Sequence, residues 1–202
     1  MIKKRLRWGR LILCGSVLFL ILVCILGSIF QDQLRSRLFP LLYYEEVTAG
    51  ALEYELEPAL IFAIIRCESG FNVNAKSKAG AWGLMQMLPS TALWINEKAN
   101  FDYLVDDLWT PEHNIRLGCW YLNWLRNYYD GNLIAALAAY NAGLSHVNQW
   151  LTANVWDGTE EGYHHIPFAE TRRYVSEVLR AKDIYTEILA DTNAGSSFRF
   201  LL

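Results

Sequence analysis

Residues Pro58 to Cys67, PALIFAIIRC, are apolar at every position except Arg66. A helix of this composition has no face to offer water, so it belongs at the centre of whatever domain it joins. Pro58 suits the first helical turn, and Gly70 supplies a left-handed stop just past Glu68 and Ser69. The helix therefore ends on a carboxylate. The negative end of the helix dipole and burial both penalise a charge there, so the Glu68 pKa is expected to be raised. A general acid working near neutral pH needs that direction of shift. The plainer reading is a helix-end glutamate turned to solvent, and on this helix alone it is the favoured one.

A second apolar stretch divides the chain. Leu11 to Phe30 are 20 consecutive residues without a formal charge, and as a helix they span roughly 30 Å, the thickness of a bilayer core. Lys3, Lys4, Arg5, Arg7 and Arg10 precede them with no acidic residue. By the positive-inside rule residues 1–10 stay in the cytoplasm, 11–30 form a transmembrane helix, and the rest is extracytoplasmic. A cleaved signal peptide ending near Ile25-Leu26-Gly27 is the competing reading, with an apolar run longer than such segments usually carry. A lipoprotein signal fits less well, since Leu13 and Val23 precede Cys14 and Cys24 where a small residue is expected.

Charge follows the same division. Residues 1–40 hold seven Lys/Arg and one Asp, whereas residues 41–202 hold 11 Lys/Arg against 20 Asp/Glu, a balance of −9. So acidic an outer domain argues against a nucleic-acid partner and is compatible with a neutral glycan. Cys67 and Cys119 face the outer compartment as buried free thiols or as one disulfide.

Residues 31–42 read as a linker, and 43–190 as one domain with a sizeable core. Helical periodicity runs from about Tyr43 to Leu56, then through the central helix; residues 71–83 are loop. Pro89-Ser90-Thr91 opens a short helix, and residues 100–108 are ambiguous. Thr110-Pro111 signals an N-cap and first turn of a helix to about Tyr128. Further helices are expected at LIAALAAY, at Val147 to Leu151 and from about Phe168 to Leu189, with 191–202 a frayed tail. No segment alternates with period two. The domain is mainly α.

Four motifs remain: Glu68-Ser69; Gly80-Ala81-Trp82-Gly83-Leu84-Met85-Gln86; Ala139-Tyr140-Asn141-Ala142-Gly143; and the run from Ile166 to Val175 containing Glu170 and Tyr174. Each alone has a bland reading, as a turn, a capped helix end or an i,i+4 surface pair. In this order and spacing, with Asn114 to Gly118 opening the long helix, they resemble the soluble lytic transglycosylase-like (SLT) catalytic domain, glycoside hydrolase family 23. The resemblance covers about Tyr43 to Leu189. It implies a lysozyme-like, goose-type helical fold and cleavage of the β-1,4 bond between N-acetylmuramic acid and N-acetylglucosamine in peptidoglycan. It also implies Glu68 as the single catalytic acid/base, with Ser69 helping to hold substrate. Gly83, Leu84, Met85 and Gln86 would line the cleft, Met85 against a sugar and Gln86 hydrogen-bonded to it. Ala139, Tyr140 and Asn141 would lie close to Glu68, Tyr174 would approach the reacting centre, and Glu170 would brace that region.

Two positions depart from the family pattern. Asn74 stands where a proline is frequent, with little consequence expected. Trp82 stands where smaller residues are common, and either stacks on a sugar or packs inward. Trp94, Trp109, Trp120, Trp124 and Trp150 lie on helical stretches and are expected in the core.

The chemistry of the residues agrees with the resemblance. Glycosidases ordinarily use two carboxylates, and the motifs supply only Glu68; Asp102, Asp106, Asp107 and Glu170 have no motif-based claim to be the second. One carboxylate suffices if the muramic acid 6-hydroxyl is the nucleophile, giving 1,6-anhydro ends. His113, His146, His164 and His165 have no metal-ligand spacing, so no metal or other cofactor is expected. The alternatives are a muramidase that hydrolyses the same bond and a non-catalytic glycan-binding envelope protein. The expected partners are glycan strands and, through residues 11–30, the cell membrane.

Overall fold

In this computed structural model the backbone is described for residues 2–199 and side chains for residues 19–31 and 33–192. The basic side chains from Lys3 to Arg10, Cys14, and residues 11–18 of the expected span lie outside those described side chains, as do residues 200–202 of the tail altogether. The chain forms two compact units, Met1–Leu41 and Leu42–Leu202.

The first unit is a single helix, α1 (Ile2–Leu38). Within it Phe19–Leu38 is long and apolar enough to cross a membrane, and none of that stretch is buried. Residues 31–38, expected as linker, continue the helix. Nothing in them breaks it until Pro40, which disfavours helical geometry in the residue before it.

The second unit is helical, with only isolated bridges at Lys76–Trp82 and Trp82–Met87 among its described residues. Its helices are α2 (Tyr44–Glu53), α3 (Pro58–Ser69), α4 (Pro89–Ala99), α5 (Pro111–Tyr128), α6 (Leu133–Ala142), α7 (Leu144–Thr152) and α8 (Ala169–Arg199). The helix apolar on every face is central, as its composition requires. Ala59 to Ile65 of α3 are all buried, and its five large apolar side chains are each worth roughly 1.5–3 kcal/mol of burial. α8 packs along α3 more extensively than any other pair of helices, with Tyr185 stacked on Phe62 at 5.3 Å. The Phe62 ring also meets Tyr44 of α2 and Phe71 just past α3. α6 is the second enclosed helix: Ile134 to Ala139 are buried, and four of those six are alanines that let α5, α7 and α8 close in. Asn132 caps it, accepting from the Ala135 amide at 3.0 Å.

Several ends differ from expectation. Thr110 occupies the N-cap of α5, but its side chain makes no capping bond, so the start rests on Pro111. α4 runs on to Ala99 and stops at Asn100, which adopts left-handed φ of 55°. The ambiguous segment holds a 3₁₀ turn, Val105–Trp109, and the loop after α7 holds another, Tyr163–His165. α7 begins at Leu144, and α8 continues past the expected end at Leu189 to Arg199. Cys67 and Cys119 are both free.

The tryptophans also depart from expectation. Trp150 is buried, but Trp94, Trp109, Trp120 and Trp124 are half-exposed. Trp94 packs edge against face with Trp120, Trp124 and Tyr121 where α4 meets α5, while Trp109 stacks on Trp82.

Candidate active site

Glu68 lies in the last turn of α3, which Gly70 ends with φ of 57°. The chain cannot continue the helix there, so the carboxyl is carried at the rim of the core rather than inside it. Glu68 is half-buried, yet desolvation raises its pKa from the ordinary 4.5 to about 7. The Tyr174 hydroxyl opposes that rise and the negative charge of Glu170 adds to it. Glu170 itself stands exposed in the first turn of α8.

Tyr174, one turn further along α8, is buried, and its hydroxyl has no partner in full hydrogen-bond geometry. Burial first, and then the charge of Glu68, push its pKa well above the ordinary tyrosine value. The phenol is thus held neutral beside the carboxyl, which it faces without a hydrogen bond of full geometry. Tyr140, on the last turn of α6, is likewise pushed up by burial and by Glu68. Its hydroxyl donates to the Met85 carbonyl at 2.9 Å. Asn141 accepts from the Thr171 hydroxyl at 2.8 Å, and Thr171 is itself 1% exposed. With its amide oxygen engaged, what Asn141 can offer a ligand is its NH₂.

The loop from Ala75 to Met87 forms the other side. Trp82 and Met87 exchange backbone bonds at 2.9 and 3.0 Å, and Gly83 donates to the Ala75 carbonyl at 2.9 Å. Gly83 has φ of 78°, and a Cβ there would stand 2.5 Å from the Leu108 carbonyl oxygen and collide with the Asn114 amide. Gln86 turns the chain at φ of 47°, and its NH₂ donates to the Gly83 and Ala75 carbonyls at 2.8 and 3.1 Å. Only its side-chain oxygen remains for a ligand. Asn114 holds the loop from below. At 1% exposure it accepts from the Met85 amide at 2.7 Å and donates to Trp82 and Leu108 carbonyls at 3.0 and 2.9 Å. Three bonds on one buried amide pin the loop to α5.

Glu68, Tyr140, Tyr174 and Glu170 are thus brought into one electrostatic neighbourhood. Ser69 donates back to the Ile65 carbonyl at 3.2 Å, leaving its oxygen as an acceptor. Leu84 and Met85, expected to line a cleft, are both fully buried. Met85 lies against Gly118, where a Cβ would come within 2.8 Å of its methyl, so it supports the loop instead of meeting a sugar. Ala139 is enclosed in α6, where its carbonyl accepts from the Gly143 amide at 2.8 Å. Trp82 packs inward: it stacks on Trp109 at 4.9 Å and takes the Lys76 ammonium over its ring. Asn114 and Thr171 carry no role in the sequence reading. A buried polar residue inside a motif was the available signal for each.

Residues 46–162 match the family described as "Transglycosylase SLT domain". The chain is 36% identical to the soluble lytic murein transglycosylase of Salmonella typhimurium, over 81% of this chain and 26% of that protein. It is 32% identical to membrane-bound lytic murein transglycosylase C of Actinobacillus pleuropneumoniae, over 72% of this chain and 46% of that protein. Among solved structures it resembles lytic transglycosylase Slt of Pseudomonas aeruginosa, solved as an inactive glutamate-to-glutamine mutant. There the TM-score is 0.70 at 38% identity, over 75% of this chain and 25% of the other. The chain therefore spans about a quarter of the soluble relative and under half of the membrane-bound one.

Proposed function

This chain belongs to the SLT transglycosylase family, and on that premise we propose that its second unit cleaves the β-1,4 bond between N-acetylmuramic acid and N-acetylglucosamine in peptidoglycan. The observation that carries the proposal is the Glu68 carboxyl, lifted by desolvation to about 7 at the end of α3. Near neutral pH it still holds the proton that a leaving glycosidic oxygen needs. Glu68 delivers that proton as the bond to C1 breaks. It then takes the proton of the muramic acid 6-hydroxyl as that oxygen closes on C1. The products are a free N-acetylglucosamine hydroxyl and a 1,6-anhydro-muramic end, with no water consumed and no cofactor needed.

The surrounding groups suit both halves. While Glu68 is protonated, the Tyr174 hydroxyl, which lacks a bond of full geometry, can turn a lone pair toward the positive charge developing on the ring. Once Glu68 is ionised, the same hydroxyl can donate to it. The Asn141 NH₂, the Gln86 oxygen and the Ser69 oxygen are the groups left to position sugar. The inactive glutamate-to-glutamine form of the Pseudomonas aeruginosa relative shows that a glutamate is required there, in keeping with the role proposed for Glu68.

Digestion of purified peptidoglycan in heavy-oxygen water, read by mass spectrometry of the released fragments, tests the scheme. Unlabelled anhydro ends are expected. Label at muramic C1 makes the enzyme a hydrolase of muramidase type, and Glu170 or an aspartate of residues 102–107 then becomes the second carboxylate. Binding without release of fragments makes it a glycan-binding protein.

We further propose that α1 anchors the protein as a single pass, with residues 1–10 in the cytoplasm and the domain at 43–190 outside. The exposed apolar stretch Phe19–Leu38 and the membrane-bound relative support it. The protein should stay with membranes through a high-salt wash and be degraded by protease added outside. A free mature form starting near Ser28 would refute the anchor.

A further inference from the structure

The first turn of α8 faces two ways about Thr171, which is bonded to Asn141 at 2.8 Å. At about 100° per residue, Glu170 and Tyr174, the two groups that act on Glu68, lie to one side of it. Phe168 and Arg172 lie to the other, and His146 of α7 packs against Phe168. We propose that these three residues recognise the peptide stem carried by muramic acid, and that Arg172 grips an ionised carboxylate of that stem. This rests on the reading of the domain as peptidoglycan-cleaving and adds which strands it prefers.

The patch adjoins the candidate site. His146 Nδ1 donates at 2.9 Å to the carbonyl of Ala142, the residue after Asn141. Phe168 and Arg172 are one turn apart, joined by the bond from the Arg172 amide to the Phe168 carbonyl at 3.0 Å, with Thr171 between them. A muramic acid ring held by the Asn141 NH₂ thus has this patch beside it, where its lactyl arm and stem can lie.

Arg172 is set for an anion. One terminal nitrogen donates to the Ile166 and Pro167 carbonyls, the second at 3.3 Å. Nε and the other terminal nitrogen have no partner among the described residues, and they form the edge of a guanidinium that holds a carboxylate by two parallel bonds. The residue stands half-buried in the first turn of a helix, where the dipole disfavours a cation. In a domain with 20 Asp/Glu against 11 Lys/Arg, its charge is spent on neutral carbonyls and remains open to a ligand.

The other two groups suit a peptide rather than a sugar. A carbonyl only accepts, so His146 Nδ1 carries the proton, and the neutral ring leaves Nε2 as an acceptor on an exposed residue. An amide N–H is its complement. Phe168 is 43% exposed and held edge-on by His146 and Trp150, both at 4.9 Å, so it offers a fixed apolar face to the methyl groups of the lactyl arm and of alanine. An acceptor, an apolar face and a forked cation match an acylated peptide with a free carboxylate. A neutral sugar leaves the cation unused.

The test uses the full chain carrying Glu68→Gln, so that nothing is turned over, with calorimetry as readout. Three probes are the N-acetylglucosaminyl-N-acetylmuramic acid disaccharide bearing its stem, the same with every stem carboxylate amidated, and the stem-free disaccharide with its lactyl carboxyl capped as the methylamide. The acidic stem should bind roughly five- to tenfold tighter than the amidated one. Arg172→Lys, which keeps the charge and loses the fork, should remove most of that difference. His146→Phe, which keeps a ring against Phe168, should weaken both stem-bearing probes about two- to threefold and leave the stem-free one unchanged. Equal affinity for acidic and amidated stems overturns the proposal without touching the proposed activity, and needs no variant to fold. A preference for the acidic stem that persists undiminished in Arg172→Lys, in a protein with an unaltered melting curve, also overturns it. If none of the three probes binds, the glycan reading itself falls, and stem recognition with it.

Discussion

The two sides of the candidate site are built on opposite terms. In the loop from Ala75 to Met87 the polar groups are consumed: Gln86 spends its NH₂ on two carbonyls, and Asn114 makes three bonds beneath it. At the junction of α3 and α8, two polar groups are kept short of partners. Glu68 is desolvated without a cation, and the buried Tyr174 hydroxyl lacks a full hydrogen bond. Full satisfaction gives a fixed shape, whereas a deficit leaves proton affinity and hydrogen-bonding capacity for something else to use. The loop supplies geometry and the junction supplies chemistry. Substitutions in the two places should therefore fail in different ways.

The largest effect is expected at the junction and in activity alone. Glu68→Gln should lower fragment release from peptidoglycan on the order of a thousandfold or more, with the fold intact. Its stability should differ from the parent in pH dependence. The folded pKa of Glu68, about 7, lies above its ordinary 4.5, so its contribution is full below the lower value and lost as pH rises through the higher. Denaturant melts from pH 4 to 8 should show that decline in the parent and lack it in the variant.

Next comes the loop, where stability falls first. Gly83→Ala forces a side chain into left-handed backbone and against Leu108 and Asn114, and should lose roughly 3 kcal/mol or more in urea melts. Activity should fall with it, because the loop can no longer hold its shape. An active Gly83→Ala protein of normal stability would dissolve the distinction between the two sides.

A finer test is Tyr174→Phe. Removing a buried hydroxyl without a full partner should change stability by no more than about 1 kcal/mol, in the stabilising direction. Activity should nevertheless fall, roughly tenfold. Since the hydroxyl lowers the Glu68 pKa, the alkaline limb of the rate profile should move to higher pH. In the parent that limb should fall as pH rises through about 7. The smallest effect is expected from Thr171→Val, which frees the Asn141 oxygen. It should lose about 1 kcal/mol and raise KM more than it lowers kcat.

The junction was far more legible in the sequence than the loop. Pro58, an apolar decapeptide and Gly70 are local signals, and they place Glu68 at a helix end by arithmetic on neighbouring residues. On those facts alone a solvent-facing glutamate is the favoured reading, and the raised pKa is favoured only once the other three motifs are added. The loop's main support was illegible because it acts across the chain: Asn114 bonds residues 29 and 32 positions away. Met85 and Leu84 were read as lining the cleft because a motif names residues without saying which way they face. Thr110 misled in the other direction, since it has the right backbone for a cap while its hydroxyl takes no part.

The contact between Met85 and Gly118 has a consequence for redesign. Residue 118 has room for a hydrogen atom and no more, because the thioether of residue 85 lies where a methyl would go. The two positions therefore share one volume, and neither can grow unless the other shrinks. Libraries meant to reshape the loop should vary them as a pair. A single enlargement at either site would displace the loop.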